Sequence, residues 1–163
     1  MSQRIQHIIE DITEQYLEND GNIPWIIGFS GGKDSTVVLT LVWRALLAIR
    51  ATLGNESLKR PVFVVNNDTL VENPIISDYI IEVLDCIKTA AVKQDLPITV
   101  QITTPKLEDS FWISFLGKGY PVPNNQFRWC TDRLKIKPTS QFILDKIDAM
   151  GEAIAVSYTH LTL

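Results

Sequence analysis

Apolar positions recur along the chain first at helical and then at strand spacing. Ile5, Ile8, Ile9, Ile12 and Tyr16 fall three or four apart, which predicts an amphipathic helix from about Gln3 to Leu17. Asn19-Asp20-Gly21 should end it, and Pro24 leads into a short apolar strand, Trp25 to Phe29. After the compact stretch Ser30 to Ser35, Thr36 to Arg50 predict a largely apolar helix, broken at Gly54-Asn55. Pro61 to Asn66 reads as a second buried strand. Pro74 then turns the chain into a helix whose Ile76, Ile80, Val83, Ile87 and Ala91 share one face. Pro97 to Ile102 is a third strand. Beyond a loop rich in Gly, Pro and Asn from Gly117 to Asn125, Leu134 to Met150 predict a helix, and Glu152 to Val156 begin a fourth strand.

Strands alternating with helices imply an α/β fold, a Rossmann-like three-layer sandwich with a mostly parallel sheet. Ligands collect beyond the carboxyl ends of such strands, where the loops after the first two strands would lie.

Composition narrows this picture without changing it. At 163 residues the chain suits one domain, and 45% apolar with 21% charged residues argues against disorder. No uninterrupted apolar run reaches the roughly 18 residues of a membrane span, and the N-terminus is not signal-like. Two cysteines, Cys86 and Cys130, make no disulfide framework, which favours a reducing cytoplasmic setting away from membranes. Two histidines offer little for a zinc site or a Ser-His-Asp triad. The net charge of −4 is uneven: Lys118 to Lys146 holds six basic residues against two acidic ones. Such a stretch suits an anion, the alternative being a solvated helix face.

The last eight residues, Val156 to Leu163, resemble the translation of a sequencing-library adapter. The expected organisation is therefore a nucleotide-binding domain over 1–155, cut short and incomplete at its C-terminus, and an artefactual tail over 156–163.

The loop after the first strand carries the chemistry. Ser30-Gly31-Gly32-Lys33-Asp34-Ser35 between a strand and a helix makes an anion site from generic parts. Gly31 and Gly32 let the backbone turn and approach a phosphate closely. The next helix aims unsatisfied N–H groups and its positive dipole end at the same spot. Ser30 and Ser35 add hydroxyls, and Lys33 adds a charge. The spacing fits neither a Walker A loop nor G-x-G-x-x-G.

The string S-G-G-K-D-S resembles the PP-loop of the ATP pyrophosphatase and phosphoadenylyl-sulfate reductase superfamily, which binds adenine nucleotides on a Rossmann-like sheet. Asn67 to Pro74 resembles the reductases' D-T-G-x-x-x-P-E-T region, with Leu70 in place of the glycine and Glu72 before the proline rather than after it. Phe111-Trp112, Gly117 to Pro121 and Arg128 to Pro138 follow F-W-x-x-x-x-G-K-G-Y-P and R-W-C-T-D-R-L-K-I-x-P. That wording is similar to the DndC-type sulfurtransferases of DNA phosphorothioate modification.

The resemblance implies an adenine nucleotide alpha-hydrolase-like domain and an ATP-dependent enzyme that puts sulfur into the DNA backbone. It implies DNA as substrate, a cysteine desulfurase and other modification proteins as partners, and an iron-sulfur cluster. Ser30, Gly31, Gly32, Lys33, Asp34, Ser35 and Asp68 would bind ATP with Mg²⁺, and Lys33 and Asp34 would also serve catalysis. Arg128, Arg133, Lys135 and Lys137 would face a substrate phosphate. A cluster needs about four cysteines, so Cys130 could be one ligand and the others would lie elsewhere.

Cys130 lies between Arg128 and Arg133, where positive charge favours a thiolate suited to carrying sulfur or ligating iron. Cys86 reads as a small core residue, and Phe111-Trp112-Phe115 as core packing rather than a base-stacking platform. Asp68 and Glu72 read equally as turn residues or as ligand contacts. Two rival readings stay open: a phosphoadenylyl-sulfate reductase, and a nucleotide-binding module without turnover.

Overall fold

A computed structural model describes residues 3–18, 23–124 and 126–156. The predicted turn at Asn19-Asp20-Gly21 and residues 157–163 of the predicted tail lie outside the described residues. Four strands, β1 (Trp25–Gly28), β2 (Val62–Asn67), β3 (Ile98–Thr103) and β4 (Ile154–Val156), form one sheet in the order β3-β2-β1-β4. Every neighbouring pair is parallel, with Trp25 opposite both Val62 and Ile154, and Val62 opposite Ile98. Val156, the first residue of the predicted tail, completes β4 opposite Ile27.

Helices α1 (Gln3–Leu17), α2 (Lys33–Leu53) and α3 (Pro74–Lys93) pack on one side. Alternation along the strands turns Trp25, Ile27, Val62, Val64 and Ile98 toward them, into a core shared with Tyr16, Val42, Leu46, Ile49 and Leu84. The other pleat meets the C-terminal helical segment: Phe63 packs edge-on against Phe142 at 5.8 Å. That segment comprises α4 (Trp129–Thr131), a π-helical turn over Asp132–Ile136, and α5 (Lys137–Met150). The result is α/β, with helices on both faces of a parallel sheet. The chain steps outward from β1 to β3 and then returns to the far side of β1, so its direction reverses beside β1. Crevices at such reversals, beyond the strands' carboxyl ends, are where open sheets bind ligands.

Three differences from the sequence reading matter. Helix α2 starts at Lys33, not Thr36, because Gly32 (φ −81°, ψ 167°) is its cap and Lys33, Asp34 and Ser35 already wind as its first turn. By length and composition α2 could cross a bilayer, although no apolar run announced it. Its apolar side is buried in the core through Val38, Val42, Ala45, Leu46 and Ile49. The expectation that Cys86 is a core residue is corrected: it is exposed, on the flank of α3 beside the buried stripe.

Candidate functional site

A cleft of about 430 Å³ opens beyond the carboxyl ends of β1 and β2. Its polar lining includes Ser30, Ser35, Asn66, Asn67 and Asp68. Its apolar lining comes from Ile76, Ile80, Ile81 and Ile102, and Glu72 and Lys135 also line it. The spacing places Ile76 on the core face of α3, yet it is 47% exposed and lines the cleft.

The Ser30–Ser35 turn is knit by its own hydroxyls. Ser35 Oγ donates to the Gly32 carbonyl at 3.0 Å and accepts from the Ser30 N–H at 3.3 Å, with Ser30 Oγ also 3.3 Å away. Thr36 Oγ1 donates to the same Gly32 carbonyl at 2.8 Å. Gly31 has φ +74°, and a Cβ there would meet Ile80 Cγ1 at 3.2 Å. Glycine is therefore required at 31 by backbone and packing together, before any ligand is considered. Gly32 is different: its φ is ordinary, and a Cβ would find only Ser30 Oγ at 3.4 Å. Nothing in the chain demands glycine at 32, and its bare Cα leaves the N-terminus of α2 open to approach. No side chain caps that terminus.

Lys33 and Asp34 lie exposed on the first turn of α2, outside the residues that line the cleft. Lys33 makes no ion pair among the described residues. Asp68 closes an Asx turn, accepting from the Leu70 N–H at 2.9 Å. Leu70 sits at φ +61°, a conformation glycine adopts freely and leucine rarely. The departure noted in the sequence, leucine where the resembled motif has glycine, thus falls on a backbone of the glycine type.

The basic residues divide. Arg133 bonds the Asp109 carboxylate, donates to Tyr120 Oη at 2.6 Å and stacks 4.9 Å from that ring's centre. Lys137 reaches the other Asp109 oxygen at 3.4 Å. Burial alone would raise the Asp109 pKa, but the Lys137 hydrogen bond and the charges of Lys137 and Arg133 prevail and hold it below the ordinary carboxylate value. Lys135 alone of the four lines the cleft, facing Glu72 Oε1 at 3.8 Å. Arg128 is exposed at the start of α4.

Cys130 is half-buried in α4, outside the cleft lining. Cys86 belongs to α3, in a separate groove between α2 and α3. Among the described residues no three His, Cys, Asp or Glu side chains converge as a metal site. This donor set does not fit an iron-sulfur cluster, so no step is derived through one. The aromatic group splits: Phe111 stacks between Phe115 (5.9 Å) and the buried Trp129 (5.4 Å), while Trp112 is 57% exposed.

Sequence reasoning missed Asn66 and Asn67. Asn66 is buried and donates to the Phe29 carbonyl at 2.8 Å, locking the ends of β1 and β2 together. Asn67 Oδ1 accepts from Thr103 at 2.5 Å and Thr139 at 2.9 Å, fixing β3 and α5 to the same edge. Two adjacent asparagines ending an apolar strand were the available signal. No protein-family model matches the chain, and no curated protein matches it significantly.

Proposed function

We propose that the chain is the nucleotide-binding part of a cytoplasmic, ATP-dependent sulfurtransferase of DNA phosphorothioate modification, with an adenine nucleotide alpha-hydrolase-like fold. The observation that supports it most is the cleft itself. A serine-lined turn, leading into an uncapped helix N-terminus, shares the cleft with apolar side chains of α3 beyond the carboxyl ends of β1 and β2. Phosphates suit the serine turn and helix terminus, and a planar base suits the apolar lining. The φ of Leu70 adds support, since the residue at the resembled motif's glycine position holds a conformation that glycine adopts freely.

In this reading Ser30, Ser35 and the first N–H groups of α2 hold the phosphates, Lys33 closes over them, and Mg²⁺ enters with the nucleotide. A DNA phosphate oxygen attacks the α-phosphorus and pyrophosphate leaves. A persulfide on Cys130, loaded by a cysteine desulfurase, attacks the activated DNA phosphorus through its outer sulfur and displaces AMP. An external thiol reductant then cleaves the S–S bond, leaving the phosphorothioate on DNA and a disulfide between that thiol and Cys130. Lys135 and Arg128 meet substrate phosphate, whereas Arg133 and Lys137 position the segment through Asp109.

The test is ATP titration of the whole chain and its Lys33→Ala variant. Losing one charge-assisted hydrogen bond should weaken binding about 10- to 150-fold without moving the melting temperature. Equal affinity in a folded variant would remove the nucleotide assignment. For the sulfur step, Cys130→Ser should retain ATP binding and abolish phosphorothioate formation in a reconstituted system, and undiminished sulfur incorporation would remove that role.

A further inference from the structure

The cleft just assigned to a polyanion carries opposing charge. Of its charged lining residues, Asp68 and Glu72 are acidic and only Lys135 is basic. Asp68 is engaged by the Leu70 N–H. Glu72 instead points one oxygen, Oε1, at two partners: it accepts from Thr69 Oγ1 at 3.2 Å and lies 3.8 Å from Lys135 Nζ. Thr69 is buried and anchors the carboxylate from within. Glu72 precedes the Asn73 cap of α3, and Lys135 lies in the π-helical turn before α5, so their contact bridges two walls of the cleft. Their side chains are 37% and 55% exposed, and an ion pair that wet is easily exchanged for another.

We propose that Glu72 sets the anion affinity of this cleft by competing for Lys135: it holds the lysine while the cleft is empty and yields it to an incoming phosphate. The inference rests on reading the cleft as a phosphate site. A phosphate oxygen arriving beside Lys135 must replace Glu72 and also meets its repulsion, so both effects weaken binding in the wild type. Glutamine at 72 keeps the shape and the Thr69 hydrogen bond and removes only the charge.

The experiment is calorimetric titration of pyrophosphate, and separately ATP, into the whole chain and into Glu72→Gln, Lys135→Gln and the double variant. Glu72→Gln should bind pyrophosphate about 3- to 10-fold more tightly, and that gain should shrink in the Lys135→Gln background. Unaltered or weaker pyrophosphate binding by Glu72→Gln would overturn the competition, as would an equal gain in both backgrounds. Pyrophosphate binding that follows the expected pattern without any ATP binding would keep the competition and reject the nucleotide reading. ATP binding with no response to Glu72→Gln would do the reverse, and a wild-type chain that binds neither would reject both.

Discussion

The two ends of the one parallel sheet handle polar groups in opposite ways. At the amino end, Arg60 is fully buried just before β2. Its guanidinium donates to the carbonyls of Tyr16 at 2.9 Å, Ile23 at 3.1 Å and Glu18. It also lies 5.6 Å from the ring centres of both Tyr16 and Trp25, and Tyr16 returns a hydrogen bond to the Arg60 carbonyl at 2.7 Å. Tyr16 and Glu18 bracket the C-terminus of α1, where carbonyls lack helical partners and the dipole favours a cation. At the carboxyl end, Ser30, Ser35, Asp68 and Lys135 border an open cleft instead. Polar groups whose partners are internal belong to the fold. Those that keep bonding capacity toward a cleft are available for ligands, and among the described residues they gather at the carboxyl end.

Breaking the amino end should therefore cost stability above all else. Arg60→Ala strands buried carbonyl acceptors and opens a cavity, a loss of about 3–5 kcal/mol. Set against a typical total of about 5–15 kcal/mol, that leaves a marginal domain. Urea denaturation should show it, with Arg60→Lys intermediate. A midpoint equal to wild type would mean that the buried clamp contributes nothing.

Alkaline pH should loosen the same end without a mutation. Burial pushes the Tyr16 hydroxyl up to about 12, with the Arg60 charge offsetting part of the effect. Its ordinary value is 10.0. The folded protein thus keeps this proton after the unfolded chain has released it. Stability from this group is complete below pH 10 and is lost as pH rises from 10 to 12, by about 2–3 kcal/mol. Denaturation midpoints of wild type and Tyr16→Phe across that window should converge, and parallel curves would reject the assignment.

Toward the carboxyl end, Asp109 ties α5 and the preceding turn to the segment after β3. Its pKa lies below the unfolded value, so its contribution is present above about pH 4 and fades as acid titrates it through the folded value. Asp109→Asn leaves the largely buried Arg133 without its carboxylate and should cost about 1–3 kcal/mol at neutral pH. That difference should narrow in acid. Pyrophosphate affinity should change less than stability, because Asp109 does not line the cleft. A variant with full stability and lost binding would place Asp109 among the ligand contacts.

What the sequence disclosed follows from what periodicity can carry. Each strand of the sheet was visible as an apolar run, and α1 and α3 as apolar residues three or four apart. The first turn of α2 was not, because Lys33-Asp34-Ser35 is polar and the helix begins before its apolar face does. Arg60, between Lys59 and Pro61, looks like solvated loop, since its acceptors are about 40 residues away. Charge counting located the basic stretch but not its partners. Arg133 and Lys137 meet Asp109, 24 and 28 residues earlier, and Lys135 meets Glu72. The glycine-rich turn was legible because its chemistry is local: its conformation, cap and hydroxyl bonds all lie within six residues.

The smallest expected effect concerns backbone strain at the carboxyl end. Leu70 holds φ +61° with 56% of its surface exposed, so it gains little from burial while adopting a conformation that costs a β-carbon about 1–2 kcal/mol. Glycine removes that cost but loosens the unfolded chain, which takes back about 0.4–1 kcal/mol. Leu70→Gly should thus be stabilising by up to about 1 kcal/mol, and it preserves the N–H that Asp68 accepts. Leu70→Ala is the control, because it deletes the same side chain and keeps the strained Cβ. The glycine variant should exceed the alanine variant by roughly 1 kcal/mol in urea, a separation that burial differences cannot produce at so exposed a site. Equal midpoints for the two variants would show that position 70 relaxes out of the left-handed region when trimmed. The cleft's second loop would then be adaptable, in contrast to the rigid clamp at the other end of the sheet.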